Sequence, residues 1–317
     1  MKLLIVRLSA MGDVIHGFPL AANAAAAGHE VAWLADTRYA GLLEGAPFLR
    51  RLFLLNTRRG GPPRRVRLLA LRRELRAWAP DVTIDVQGLW KSSVAARLSG
   101  APVVGFSWSA RREPASVFLC DRGVAPRAAA RHVVERNLAL LEAAGIPVRS
   151  RAPDAAFLLA RGSAAADEFL ATLREPFALY HPGTARPEKA WGEERFAALA
   201  RALASGGGLR PAISWGPGDE ARVERLRALL PDAALLPPLD YPGLARVIHA
   251  SALFVAGDTG PLHLADALGA RTLGLYGPTD PARNGPYRSP GNAVRYNPST
   301  PVEVVADRAL RLLGTSR

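Results

Sequence analysis

The sequence predicts an α/β protein made of two successive doubly wound parallel-sheet units with a cleft between them. Three observations carry this. Short apolar runs alternate with helix-like stretches, which implies parallel strands covered on both faces by helices. The alternation pauses at Ser150–Asp154 (Ser-Arg-Ala-Pro-Asp) and then restarts. The chain has 317 residues, 49% hydrophobic and 22% charged, enough for two cores of about 150 residues each. The domain limits read from this are 1–152 and 153–300, with a terminal helix at about 301–317 expected to pack back on the first domain.

In order, Leu3–Val6 reads as the first strand, followed by a polar, glycine-containing turn and an alanine-rich helix over Val14–Ala27. Val31–Leu34 and Arg51–Leu55 are the next strands. Arg65–Trp78 has Val66, Leu69, Leu71, Leu75 and Trp78 at helical spacing between arginines. Val82–Val86 is a fourth strand. In the second half, strands are expected at Phe177–Tyr180, Pro211–Trp215, Leu253–Ala256 and Thr272–Tyr276. Helices are expected at Glu193–Ala204, Glu220–Leu230, Pro261–Leu268 and Pro301–Leu313.

Composition excludes several classes. One cysteine, Cys120, forms no internal disulfide and no cysteine metal site. No run of 18 apolar residues suggests a membrane-spanning helix, and Met1–Val6 is too short for a signal core. The net charge of +13 is lopsided. Residues 1–150 hold 22 Lys and Arg against 11 Asp and Glu, while residues 151–317 hold 19 against 17. Eight arginines lie between Arg58 and Arg76. Such a field favours an anionic partner (nucleic acid, an anionic membrane surface or a phosphorylated substrate), although a solvated helix face has the same composition.

Five loops at strand ends carry the chemistry, because open parallel sheets bind ligands at the carboxyl ends of their strands. The first is Leu8-Ser-Ala-Met-Gly-Asp-Val-Ile-His16. It is no G-x-G-x-x-G fingerprint. Asp13 there is either a reactive carboxylate or a helix cap, and His16, one turn on, is either functional or structural. In Asp85-Val-Gln-Gly-Leu-Trp-Lys-Ser-Ser93, Gln87 suggests a ligand-facing loop, and Lys91 and Ser92 suit an anion, or are a surface lysine and a cap. In Tyr180-His-Pro-Gly-Thr-Ala-Arg-Pro-Glu-Lys-Ala-Trp191, Gly183, Thr184 and Lys189 offer N–H, hydroxyl and cation to a phosphate, without the Walker spacing. Glu220, after Trp215-Gly-Pro-Gly-Asp219, suits ribose hydroxyls or simply stabilises its own helix. Ala256-Gly-Asp-Thr-Gly-Pro-Leu-His263 ends a strand and opens a helix, an anion site with Thr259. Any one of these is a tight turn; five at strand ends in both halves argue for a ligand.

Taken together, Ser9-Ala-Met-Gly-Asp-Val-Ile-His16, Asp85–Ser93, Gly257-Asp-Thr-Gly-Pro-Leu-His-Leu-Ala265 and Tyr276-Gly-Pro-Thr-Asp-Pro281 resemble the heptosyltransferases of glycosyltransferase family 9. Order is kept over nearly the whole chain. The first-half segments fit the members that add the first heptose to the Kdo residue of the inner core, and Ser109-Ala-Arg-Arg-Glu-Pro114 resembles a further segment with one extra arginine. The resemblance implies a GT-B architecture, two Rossmann-like domains facing a central cleft, and a metal-independent, inverting transfer from ADP-heptose without cofactor. It assigns Asp13 as general base. It gives Thr184, Lys189, Thr259 and Gly260 to the diphosphate, Glu220 to the ribose, and Asp258 and His263 to the heptose and diphosphate. Gly12, His16, Arg58, Arg59, Arg64, Arg65, Arg67, Gln87 and Lys91 fall to the acceptor. That acceptor is expected to be a Kdo-lipid A at the cytoplasmic face of a Gram-negative inner membrane, with the enzyme cytoplasmic and peripheral on an anionic surface.

Three other readings are carried forward. A type II heptosyltransferase, or a family 9 transferase for another glycan, shares these motifs. A basic nucleic-acid-binding protein fits the charge, but no aromatic residues interleave the arginines and its usual motifs are missing, so no nucleic acid is expected. A non-catalytic nucleotide-sugar binder fits the second half and leaves Asp13 without a task.

Overall fold

The computed structural model describes residues 1–57, 64–184 and 186–314, with the Arg64 side chain outside the description. Arg58 and Arg59 lie outside the described residues. The chain divides into two compact units, Met1–Pro153 and Asp154–Arg317.

The first unit contains β1 (Lys2–Val6), α1 (Met11–Ile15), α2 (Phe18–Ala26), β2 (Glu30–Asp36), α3 (Ala40–Leu43), β3 (Arg51–Leu55), α4 (Arg64–Trp78), β4 (Val82–Asp85), α5 (Trp90–Arg97), β5 (Val103–Phe106), β6 (Arg122–Val124) and α6 (Val133–Ala143). Its six-stranded sheet runs β3-β2-β1-β4-β5-β6, every neighbour parallel. This is the Rossmann order. Leu3, Leu4, Ile5 and Val6 are all fully buried, because a central parallel strand is covered on both faces. The single helix expected over Val14–Ala27 is two. His16 and Gly17 divide it, Pro19 sits in the first turn of α2, and a side chain at Gly17 would strike the buried ring of Trp33.

The second unit contains α7 (Ala164–Ala171), β7 (Phe177–His181), α8 (Glu193–Gly207), β8 (Arg210–Ile213), α9 (Glu220–Leu229), β9 (Ala234–Leu235), α10 (Tyr241–Ala250), β10 (Leu253–Gly257), α11 (Gly260–Ala267), β11 (Thr272–Tyr276), α12 (Pro281–Asn284), β12 (Ala293–Arg295) and α13 (Val302–Leu313). Its sheet order is β12-β11-β10-β7-β8-β9, again all parallel. Numbered from its own first strand, this is the order of the first sheet. The terminal helix, expected on the first domain, packs against α8. Val305, Ala306 and Ala309 sit in the core of the second unit with Leu199 and Leu203, since helical spacing gathers its apolar residues on one stripe.

In a doubly wound sheet the chain departs in opposite directions from two neighbouring central strands, leaving a crevice at their carboxyl ends. Here those pairs are β1 with β4 and β7 with β10. Four of the five loops singled out above follow these four strands; the fifth, before Glu220, follows β8 beside β7. No described helix is long and apolar enough to cross a membrane.

Candidate active site

In the first unit, the loops after β1 and β4 brace one another. The Leu8 N–H donates to Gln87 Oε1 (2.9 Å), and Gln87 Nε2 and Lys91 Nζ both donate to Ser9 Oγ (3.3 and 3.2 Å). Arg7 Nη1 donates to the Val86 carbonyl at 2.6 Å. Its other terminal nitrogen lies 2.5 Å from Asp13 Oδ1. Asp13 is the third residue of α1, and its second oxygen accepts the Ala10 N–H at 3.3 Å, so it caps from inside the first turn rather than from the N-cap position. The Arg7 side chain is 10% exposed and that of Asp13 is 40% exposed. The carboxylate is therefore oriented from behind by a buried guanidinium and open to a ligand in front.

Arg7, in contact with Asp13, is a residue of the candidate site that sequence reasoning missed. Its signal is its place: a charge directly after a central parallel strand stands at the ligand end of the sheet. His16 is buried edge-on against His132 (ring centroids 5.3 Å apart), its carbonyl accepting from Asn137 Nδ2. Gly12 is buried within α1. On α4, Arg65 is exposed and Arg67 half-buried.

The loop after β4 is held by Asp85, which accepts the N–H groups of Gln87 (3.0 Å) and Gly88 (3.2 Å) and the Ser93 hydroxyl (2.6 Å). Gly88 has φ +65°, a left-handed turn suited to glycine. Arg111 Nη1 lies 3.5 Å from Asp85, both side chains fully buried, and the guanidinium bonds Ser93, Ser116, Cys120 and the Phe106 carbonyl. The two arginines of the Ser109–Pro114 segment thus differ: Arg111 is internal and Arg112 exposed.

In the second unit, three donors converge on Asp258 after β10. Lys189 Nζ reaches Oδ2 at 2.5 Å; Asn284 Nδ2 (2.6 Å) and His263 Nε2 (3.4 Å) reach Oδ1. Burial works against its ionisation, but the bonds from His263 and Lys189 prevail and hold the carboxyl far below the usual range. Thr259 precedes α11, whose first residue is Gly260. Thr184, half-buried after β7, bonds the backbone of Arg186 through its hydroxyl. A side chain at neighbouring Gly183 would collide with the Asp219 carboxylate, so the loops after β7 and β8 touch there. Glu220 is exposed at the start of α9, and its carboxylate accepts its own backbone N–H and that of Gly218 (2.9 Å), which together favour the charged form. Thus Lys189, Asp258 and His263 form one cluster, Thr259 and Gly260 flank it in sequence, and Thr184 and Glu220 occupy the neighbouring loops. No group of three or more metal-ligating side chains occurs among the described residues.

Comparison with known proteins gives the same picture. The profile of Glycosyltransferase family 9 (heptosyltransferase) matches residues 68–309. Lipopolysaccharide heptosyltransferase 1 of Pseudomonas aeruginosa is 34% identical over 303 residues, 90% of this chain and 81% of its own length. That of Escherichia coli K12 is 31% identical over 302 residues, 90% of this chain and 91% of its own. Among solved structures, E. coli heptosyltransferase WaaC with ADP superposes with a TM-score of 0.82 at 29% identity, covering 98% of this chain and all of that one. The two Rossmann-like units are those of the GT-B class. With its profile match, its near-full-length relatives above 30% identity and its paired sheets, the chain belongs to glycosyltransferase family 9, the heptosyltransferases.

Proposed function

We propose that this glycosyltransferase acts in lipopolysaccharide core assembly, moving heptose from ADP-heptose to the Kdo residue of a Kdo-lipid A with inversion, and that Asp13 is its general base. The observation that carries the reading is the Asp13 carboxylate, fixed by Arg7 at the switch point of the first sheet and still 40% exposed. The names of the relatives and of the ADP-bound structure support the donor and the pathway.

In the reaction, the acceptor hydroxyl gives its proton to Asp13 while its oxygen forms a bond to the anomeric carbon of heptose. The bond from that carbon to the diphosphate breaks on the opposite face, and ADP leaves with the electron pair. A carboxylate serves as base when it lies within hydrogen-bond reach of the hydroxyl. Negative charge growing on the diphosphate calls for fixed donors and cations. We assign these to Lys189, the Thr184 and Thr259 hydroxyls and the N–H groups opening α11, with Glu220 on the ribose, rather than to a metal. The acceptor is assigned to Gln87, Lys91 and the arginines of α4, and the enzyme to the cytoplasmic face of the inner membrane.

The test is ADP release from ADP-heptose and Kdo-lipid A by wild type and Asp13→Asn. The wild type is expected to turn over with or without EDTA, and the variant to lose about 10²- to 10⁴-fold in kcat while binding ADP normally. No ADP from the wild type overturns the proposal; full activity in the variant removes the base alone. Preference for an acceptor already carrying one heptose would reassign the chain to the second transfer.

A further inference from the structure

The first unit holds nine Trp and Phe residues, and six of them are at most 9% exposed. The other three, Trp90 (47%), Trp108 (53%) and Phe118 (76%), cluster within 29 residues of sequence. Trp108 and Phe118 are packed edge to face, ring centroids 5.8 Å apart, as an exposed pair. Their segment is no loose loop. Arg111 is buried between them and ties the chain to Phe106, Ser93 and Ser116, and Glu113 Oε2 accepts the Trp90 N–H at 2.6 Å. The protein thus anchors this segment rigidly while leaving its rings in water, at a cost of roughly 1–3 kcal/mol per fully exposed large apolar side chain.

The surroundings are cationic. Exposed Lys91 follows Trp90 directly and exposed Arg112 lies between Trp108 and Phe118 in sequence, against Glu113, which is engaged by the Trp90 N–H. Trp108 follows the carboxyl end of β5 and Trp90 that of β4, so the rings border the sheet end that carries Asp13. Tryptophan with phenylalanine beside Lys and Arg is the composition of surfaces that settle into the headgroup layer of an anionic bilayer.

We infer that Trp108 and Phe118, with Trp90 beside them, form a membrane-docking patch that inserts into an anionic lipid surface. The inference rests on the proposed lipid-borne acceptor, but concerns the bilayer itself and needs no acceptor to be tested.

Full-length protein is mixed with phosphatidylcholine vesicles with and without phosphatidylglycerol, free of acceptor, and sedimented. Wild type is expected to bind the anionic vesicles. W108A/F118A is expected to bind at least about tenfold more weakly, and Phe118→Asp alone to weaken binding similarly. Both variants keep ADP binding, which reports an intact second unit, and their circular dichroism reports the first. Vesicle binding equal to wild type in both variants overturns the patch. So does a wild-type dimer, in sedimentation equilibrium without lipid, that the variants dissociate; a second copy then covers the rings. Because no acceptor is present, either failure leaves the heptose-transfer reading standing, and that reading fails only in the ADP-release assay.

Discussion

Arg7 and Asp13 behave as one group. With one guanidinium nitrogen on the Val86 carbonyl and the other on Asp13, the carboxylate is aimed before substrate arrives. Arg7→Met removes that aim while leaving the acid in place. Its kcat is expected to fall about 10- to 100-fold with ADP affinity unchanged, and Arg7→Lys to recover part of the loss. A kcat equal to wild type in Arg7→Met would show that α1 alone positions the carboxylate. Asp258 makes a pH prediction. Its folded-state pKa lies below the ordinary 3.8, so its stabilisation is fully present above 3.8 and lost as pH falls below that value. The stability advantage of wild type over Asp258→Asn in urea unfolding is expected to be largest at neutral pH and to shrink below pH 3.8. A constant difference would mean that the His263 and Lys189 bonds do not depend on its charge.

At the scale of elements, the loop between β5 and β6 is built on the buried Arg111–Asp85 pair. Removing one partner strands the other as a buried charge, so Arg111→Ala should cost the first unit about 3–5 kcal/mol in chemical denaturation; a loss below about 1 kcal/mol would show that water replaces the guanidinium. Most central strands were legible because each is a continuous apolar run: β1, β4, β7, β10 and β11 lie within one residue of their expected limits, as does the edge strand β3, whereas the central β5, a four-residue run broken by Gly105, was not expected. The edge strands β6, β9 and β12 have only two or three residues, too few to show periodicity, and exist because a neighbour offers a free edge. Helix α10 did carry a signal that went unread, Asp240 before Tyr-Pro, whose carboxylate now accepts the Gly243 N–H. The site divides likewise. Asp13 and Lys189 were legible as candidates from their loops, whereas Asn284, at the end of α12, reaches Asp258 only through tertiary folding.

For the whole molecule, the lopsided charge of the sequence becomes a basic first unit, with exposed Arg65, Arg72, Arg73 and Arg76 along α4. Replacing Arg64, Arg65 and Arg67 together by alanine is expected to raise the acceptor KM about tenfold at low salt, less at high salt, and to leave the donor KM alone. Unchanged acceptor kinetics would show that these charges serve something other than substrate capture. The packing of α13 against α8 has a further consequence, for biosynthesis. The first unit contains all its strands and helices by Pro153, so it can close its core while the ribosome is still translating the second. The second unit cannot do the same. Val305, Ala306 and Ala309 cover Leu199 and Leu203, and they emerge after every strand of their sheet has been made. Until they leave the exit tunnel, the second unit carries an open apolar face, so a stalled or prematurely ended chain yields a finished first unit tethered to an aggregation-prone second one.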